Sequence, residues 1–310
     1  MLRLVAAGDL ALDDRLGDIL AGVGAALAPA TVRQLMSHQA GLPLDVPEHV
    51  LPYDADLTWP AMRDACVQIA PVQPIGECVS YSNMGYAVLA ALVERVTRAP
   101  FATALRTLVL DPLGIDAVFG ADDRDRAVTV ADVRSPFRDT ALEPLNSTFW
   151  RSLGLPTLGL LTNSHGVLSL LACFAPPPVA ADASGQRPRF VPTDLTQAAV
   201  TDQGLGRPGG FPGGEAFHGF AVAKPMWWPA CGWGLGPEMR GSKRPHWAAG
   251  PAAPESFGHV GLSGCVVWSD PVANVSWALL GSRTADCAWL LRHGPTITSA
   301  VRASVTAPGP

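Results

Sequence analysis

The chain has 310 residues, 48% of them hydrophobic and 16% charged, with a formal net charge of −5. A mildly acidic polypeptide with no basic run is poorly suited to nucleic acid as its main partner, and its hydrophobicity excludes a disordered chain. The longest apolar stretch, Leu155 to Pro176, is broken by Thr157, Thr162, Asn163, Ser164 and His165, short of the roughly 18–20 unbroken apolar residues of a spanning helix, so a soluble globular protein with no transmembrane segment is expected. At the N-terminus, Leu2, Leu4, Val5 and Leu10 read as the last turns of a helix stopped near Gly8-Asp9. The stretch runs into Asp13 and Asp14 and is no signal peptide. Val32, Leu35 and Met36 repeat at helical spacing, with Thr31 as N-cap and Ala40-Gly41 as the stop. A loop follows from Gly41 past Trp59, then a helix over Pro60 to Ala70. Tyr81-Ser82-Asn83 introduces a strongly helical run, Met84 to Thr97, and Phe101 to Val109 continues helical until Asp111-Pro-Leu-Gly.

From about Ala121 to Arg151 the pattern weakens into charged loops, and Leu158 to Phe174 returns to helix, closed by Pro176-Pro-Pro. Gly204 to Pro254, rich in Gly, Pro and Trp, reads as ordered loops with short strands. Phe257 to Arg283 reads as a β-hairpin turning at Asp270-Pro271, and a closing helix is expected from about Ala285 to Ser304 despite Gly294-Pro295. This order predicts an α+β fold: an antiparallel sheet flanked by helices, with a mostly helical subdomain over about residues 20–175 and the strands and terminal helix over about 226–310, all within one domain. Six cysteines, Cys66, Cys78, Cys173, Cys231, Cys265 and Cys287, are scattered with no CxxC pair, the pattern of buried thiols rather than of disulfides or a metal site. No metal and no cofactor is expected. The residues as written suit the cytoplasm, and export stays open to any segment ahead of Met1.

Two short segments carry residue types suited to chemistry. Tyr81-Ser82-Asn83 precedes a helix, so a phenol and an amide two residues apart can point into one cleft, the first to move protons and the second to hold an acyl group. The alternative is that Asn83 is a helix cap. Gly258-His259-Val260-Gly261 lies at the start of an expected strand, where His259 offers a polar side chain, Gly261 lets a ligand lie against the strand edge, and the backbone N–H of Leu262 faces a developing oxyanion. The alternative is a structural histidine and a bulge. A third segment, Thr162-Asn-Ser-His-Gly166, raises Ser164 as an α/β-hydrolase nucleophile, although the elbow needs Gly where Thr162 stands.

In order along the chain these segments resemble the serine β-lactamase-related superfamily of class C β-lactamases, D-alanyl-D-alanine carboxypeptidases, D-aminopeptidases and family VIII esterases. Leu35-Met-Ser-His-Gln-Ala-Gly-Leu-Pro43 is similar to its Leu-Leu-Thr-His-Thr-Ser-Gly-Leu-Pro signature. Tyr81-Ser82-Asn83 with Gly85-Tyr86 matches Tyr-x-Asn-x-Gly-Tyr, Asp111-Pro-Leu-Gly-Ile115 resembles the element that follows, and Gly258-His259-Val260-Gly261 resembles the Lys-Thr-Gly or His-x-Gly strand. The resemblance implies a β-lactamase/transpeptidase-like fold, with Tyr81, Asn83 and His259 as catalytic residues and Gly261 and Leu262 at the substrate and oxyanion position. It implies acyl transfer on a small-molecule ester, amide or peptide, through a Ser-x-x-Lys serine whose lysine, with the tyrosine, handles the proton.

That motif is missing. The only lysines are Lys224 and Lys243, and neither follows a serine by three positions. In relatives the motif lies on a helix whose later turns read like Met1 to Asp14 here, which places the nucleophile roughly ten residues ahead of Met1, with the first sheet strands absent as well. The expectation is a chain that cannot form the acyl-enzyme, through a start set too late or a true N-terminal loss, and that is poorly soluble because apolar surface is left bare. A non-catalytic binding relic of the same fold is the alternative. His259 in place of a permanent cation tilts the substrate toward an ester or peptide and away from a β-lactam. Trp227, Trp228, Trp233 and Trp247 line an apolar acyl pocket or simply pack a loop; Arg240 and Arg244 could bind a carboxylate, but the solvated surface is the expectation for both.

Overall fold

The computed structural model describes residues 1–120, 127–174, 189–212, 225–248, 250, 252–284 and 289–306. Two short helices open the chain, α1 (Leu2–Ala7), ended by Gly8 at φ 80°, and α2 (Leu16–Ile19). α3 (Val32–Met36) begins at Thr31 as expected: the Thr31 side chain accepts from the Gln34 N–H, and Gln34 Oε1 accepts from the Thr31 N–H at 3.0 Å, a reciprocal pair that satisfies two otherwise orphaned donors. α4 (Trp59–Gln68), β1 (Val79–Ser80) and α5 (Asn83–Thr97) follow. Val88 and Leu92 of α5 are fully buried in the same cluster as Leu35 of α3, within a stretch, Ala87 to Val93, that is buried on every face of the helix. α6 (Phe101–Leu105) passes through a π-helical turn over Arg106–Leu110 into α7 (Asp111–Leu113), which Gly114 stops at φ 62°.

The next elements depart from expectation. β2 (Ala117–Phe119) pairs antiparallel with β3 (Leu160–Thr162), and between them the presumed charged loop holds α8 (Thr148–Ser152), whose Trp150 is buried. The helix expected over Leu158–Phe174 is confined to α9 (Ser164–Ala172). Asn163 is the reason: its side chain accepts from the Gly166 N–H at 2.9 Å and starts the helix there, leaving Leu160–Thr162 extended. The expected stop at Pro176 lies outside the described residues.

α10 (Thr193–Ala199) leads to β4 (Gly209–Phe211), β5 (Met226–Trp228), β6 (Glu238–Met239), β7 (Phe257–Val260), β8 (Val266–Asp270) and β9 (Val275–Leu279), and α11 (Trp289–Thr306) closes the chain through Gly294-Pro295. The start expected at Ala285 falls in undescribed residues. Sheet order is β1-β4-β5, parallel then antiparallel, and β6-β7-β8-β9, antiparallel throughout. The α+β architecture with antiparallel sheets flanked by helices is therefore present; the last sheet adds β7 and then β6 on the β8 side of the expected hairpin and leaves β9 at its edge. Gly258–Val260 lie in the four-residue strand β7, as expected of that segment, with Gly261 just past its end.

The main core lies among the helices around Leu35, Leu42 and Leu92. A second cluster, with Trp247, Val266, Trp268 and Leu290, fills the space between the β7–β9 strands and α11. A small cluster of Val79, Trp228, Cys231 and Trp233, with Tyr81 packed on it, lies against the β1-β4-β5 sheet. Among the described residues no helix is long and apolar enough to cross a membrane.

Candidate functional site

The site forms where β1 runs into α5. Four successive backbone N–H groups are tied to different neighbours: Ser80 to the His38 carbonyl at 2.8 Å, Tyr81 to the Gly210 carbonyl at 2.9 Å, Ser82 to His38 Nδ1 at 3.1 Å, and Asn83 to the Leu44 carbonyl at 2.8 Å. Such a segment has no rotational freedom left, so the Tyr81 and Asn83 side chains start from fixed positions. The helix cap is Ser82 and not Asn83: its hydroxyl accepts from the Gly85 N–H at 3.2 Å and donates to the Pro43 carbonyl at 2.6 Å. Asn83 is the first helical residue, and its amide donates to Asp45 Oδ1 at 2.9 Å.

His259 on β7 stacks on Tyr81, with ring centres 5.9 Å apart and planes 22° from parallel. Sequence reasoning missed two further members of this cluster. His38 is buried at φ 56° and lies 4.6 Å from Tyr81 and 5.0 Å from Tyr86, ring centre to ring centre. Trp233 stands edge-on to His38 at 4.5 Å and lies 5.6 Å from Tyr81 and 6.0 Å from His259. The signal for His38 lay in the Ser37-His38 pair of the first motif. For Trp233 there was only its place in a tryptophan-rich run. Gly261 and Leu262 form the turn after β7. The Gly261 N–H closes that turn onto the Cys265 carbonyl at 2.8 Å.

Burial pushes the Tyr81 phenol above its ordinary value, and Tyr86, Asp45 and Glu238 push the same way. The His259 imidazole is lowered, mainly by burial, with Glu238 pulling it up and Lys243 pushing it down. His38 is lowered well below the usual histidine range by burial, then by His259 and Lys243. At neutral pH the cluster therefore holds a neutral phenol and neutral imidazoles. His259 Nδ1 is buried with no hydrogen-bond partner among the described residues.

The other expectations resolve as follows. Trp228, Trp233 and Trp247 are buried in packing and only Trp227 is largely exposed, so the tryptophans form no open acyl pocket. Arg240, expected at the surface, is buried, its guanidinium donating to the Ala248 and Gly241 carbonyls at 3.3 and 3.2 Å; Arg244 is exposed. Ser164 lies exposed at the start of α9 after an antiparallel ribbon, not a parallel sheet, so the elbow geometry is absent. Cys66, Cys78 and Cys231 are buried free thiols, Cys173 and Cys265 are half-buried, and Cys287 is outside the described residues. Among the described residues no three His, Cys, Asp or Glu side chains gather in a set fit for a metal ion. A cavity of about 420 Å³ touches Gly261, Ser263 and Cys265 but neither Tyr81 nor His259.

The model of the family described as Beta-lactamase matches residues 1–287. Penicillin-binding protein 4 of Amycolatopsis lactamdurans is 34% identical over 119 residues, which are 37% of this chain and 31% of that protein, so the chain spans about a third of the length of this curated relative. A solved β-lactamase from Mycobacterium bovis aligns over 99% of this chain and 82% of its own at 25% identity, with a TM-score of 0.62. The hydrolase EstCE1, described as having promiscuous acyltransferase activity, aligns over 95% of this chain and 80% of its own, with a TM-score of 0.67 and 21% identity.

Proposed function

Since the chain belongs to the β-lactamase family, we propose that its residues carry the substrate-holding part of a serine acyl-transfer site, for hydrolysis of an ester, amide or peptide through an acyl-enzyme. Tyr81, Asn83 and His259 are the residues that meet the substrate, and Gly261 with the Leu262 N–H lies where the oxyanion develops. One observation carries the reading: Tyr81 and His259, far apart in sequence, stack at 5.9 Å beside the only ring nitrogen in the cluster that is buried without a partner among the described residues. An imidazole, neutral at pH 7, replaces the fixed ammonium that would hold a β-lactam carboxylate, which favours an ester or peptide substrate over a β-lactam.

The 310 residues on their own do not complete the reaction. They contain no Ser-x-x-Lys, and a tyrosine becomes a base only where a cation stabilises its phenolate. The carboxylates that act on Tyr81, Asp45 and Glu238, both push its phenol up, the wrong direction for a base. This is also what favours the second reading, a ligand-binding relic of the same fold. The test is covalent labelling: the purified chain incubated with a fluorescent penicillin or a fluorophosphonate is expected to stay unlabelled, and a labelled band would overturn the proposal. Translating the reading frame ahead of Met1 separates the two readings, since a Ser-x-x-Lys there favours the hydrolase and its absence the relic.

A further inference from the structure

A cluster of charges lies directly behind the ring cluster. The side chains of Glu238, Lys243 and His246 are all fully buried. Lys243 Nζ donates to Glu238 Oε1 at 2.7 Å and to the Gly232 carbonyl at 2.9 Å, and it stands 5.1 Å from the ring centre of Trp228 and 5.2 Å from that of Trp233. His246 Nδ1 accepts from the Ala248 N–H at 3.1 Å, which puts the ring proton on Nε2, 3.3 Å from the same Glu238 oxygen. Glu238 Oε2 has no partner among the described residues. Desolvating an ammonium and a carboxylate costs about as much as their attraction returns, and apolar side chains of the same volume generally serve a core as well. Stability alone does not account for this cluster.

Its position does. Lys243 presses on Trp233 by a desolvated cation–π contact, while the indole also meets His38, Tyr81 and His259. The rest of the Trp233 residue is held too: its N–H donates to Asp202 Oδ1 at 3.1 Å and its indole Nε1 to the Gly236 carbonyl at 3.0 Å. We propose that Lys243, fixed by Glu238, is a positioning residue for the candidate site: its ammonium holds the Trp233 indole from behind, and the indole sets the ring orientations of His38, Tyr81 and His259. The inference rests on the proposed function only in taking that face as the site. Lys243 touches no substrate; it acts through Trp233. The unpaired Glu238 oxygen shows how the pair is specialised, because one carboxylate oxygen carries both the ammonium and the imidazole bond.

NMR of the histidine ring protons in the full chain tests this without any need for turnover, since aromatic neighbours displace those resonances. The double variant Glu238→Gln/Lys243→Met removes both charges at near-constant volume. It is expected to fold with a melting temperature close to that of the parent, while the His38 and His259 resonances move toward random-coil positions. Lys243→Met alone removes a cation that repels the His259 imidazolium and is expected to raise the His259 titration midpoint. A folded double variant with unmoved His38 and His259 resonances overturns the proposal. An unfolded double variant overturns it as well, because the cluster is then support for the core. Penicillin labelling bears on the proposed activity alone: a chain that is never acylated can still show these shifts.

Discussion

His38 combines three features that usually exclude one another: a left-handed backbone at φ 56°, a ring buried among three other rings, and a ring nitrogen bonded to a main-chain N–H. Because Nδ1 accepts from Ser82, the neutral ring carries its proton on Nε2, and a second proton would break the bond that fixes Ser82 and the start of α5. Its value in the folded chain lies well below the ordinary one near 6.5. The folded state therefore refuses a proton that the unfolded chain accepts, so the stabilisation is complete above about pH 6.5 and is lost as pH falls toward the folded value, by at most about 1.4 kcal/mol per pH unit. His246 and His259 are lowered in the same direction and add to the slope. His38→Asn keeps a side chain that tolerates positive φ and an oxygen that can accept from Ser82. Urea unfolding at intervals between pH 7.5 and 5 is expected to show stability falling with pH in the parent, and falling less steeply, by about one proton, in His38→Asn. An unchanged slope would mean that His38 already takes up its proton in the folded chain.

Elements were legible in the sequence where one rule dominated. α5 runs for 15 residues, Asn83–Thr97, with a continuous apolar stripe and no proline, so periodicity alone located it. The β8–β9 hairpin announced itself through Asp270, whose Oδ1 accepts from the Ala273 N–H at 3.0 Å, and Asn274, which takes φ 51° at the turn. The two- and three-residue strands β1 to β3 were invisible, because pairings such as Val79 with Gly209 are set by distant partners and not by local preference. Leu158–Thr162 read as the first turn of a helix, and Asn163, whose side chain caps the Gly166 N–H, starts the helix after it. The site followed the same division: Tyr81, Asn83 and His259 stand in recognisable motifs, whereas Trp233 joins them only through tertiary packing. Gly258 illustrates what such packing demands. It lies opposite Trp268 in the β7–β8 ladder, and a methyl group there would overlap the Val267 carbonyl and stand 2.8 Å from Trp268 Cα. Gly258→Ala is expected to push β7 off β8 and cost about 1–3 kcal/mol in urea unfolding. It should also move His259 away from Tyr81. A wild-type urea midpoint would show that the strand pair has slack that the structure does not display.

For the molecule as a whole, motif order along the chain carried the family, since composition fits any globular protein of this size. What composition and motifs could not show is where apolar surface remains uncovered. The core around Leu35 and Leu92 and the layer between the β7–β9 strands and α11 gather buried residues, yet a cavity of about 420 Å³ has Val128, Leu160 and Leu280 among its lining. These three remain 71%, 40% and 43% exposed, so the cleft offers water an apolar mouth next to Gly261 and Cys265. Apolar surface of this kind binds amphiphilic dyes and promotes self-association. The folded chain is accordingly expected to enhance 8-anilinonaphthalene-1-sulfonate fluorescence in native buffer and to sediment partly as oligomers at high concentration. Leu160→Glu, at an exposed position of the mouth, should reduce both signals with little change in melting temperature, because surface substitutions usually shift stability by under about 0.5 kcal/mol. Equal dye binding in parent and variant would place the sticky surface elsewhere on the molecule, and no dye binding by the parent would mean that the cleft is closed in solution.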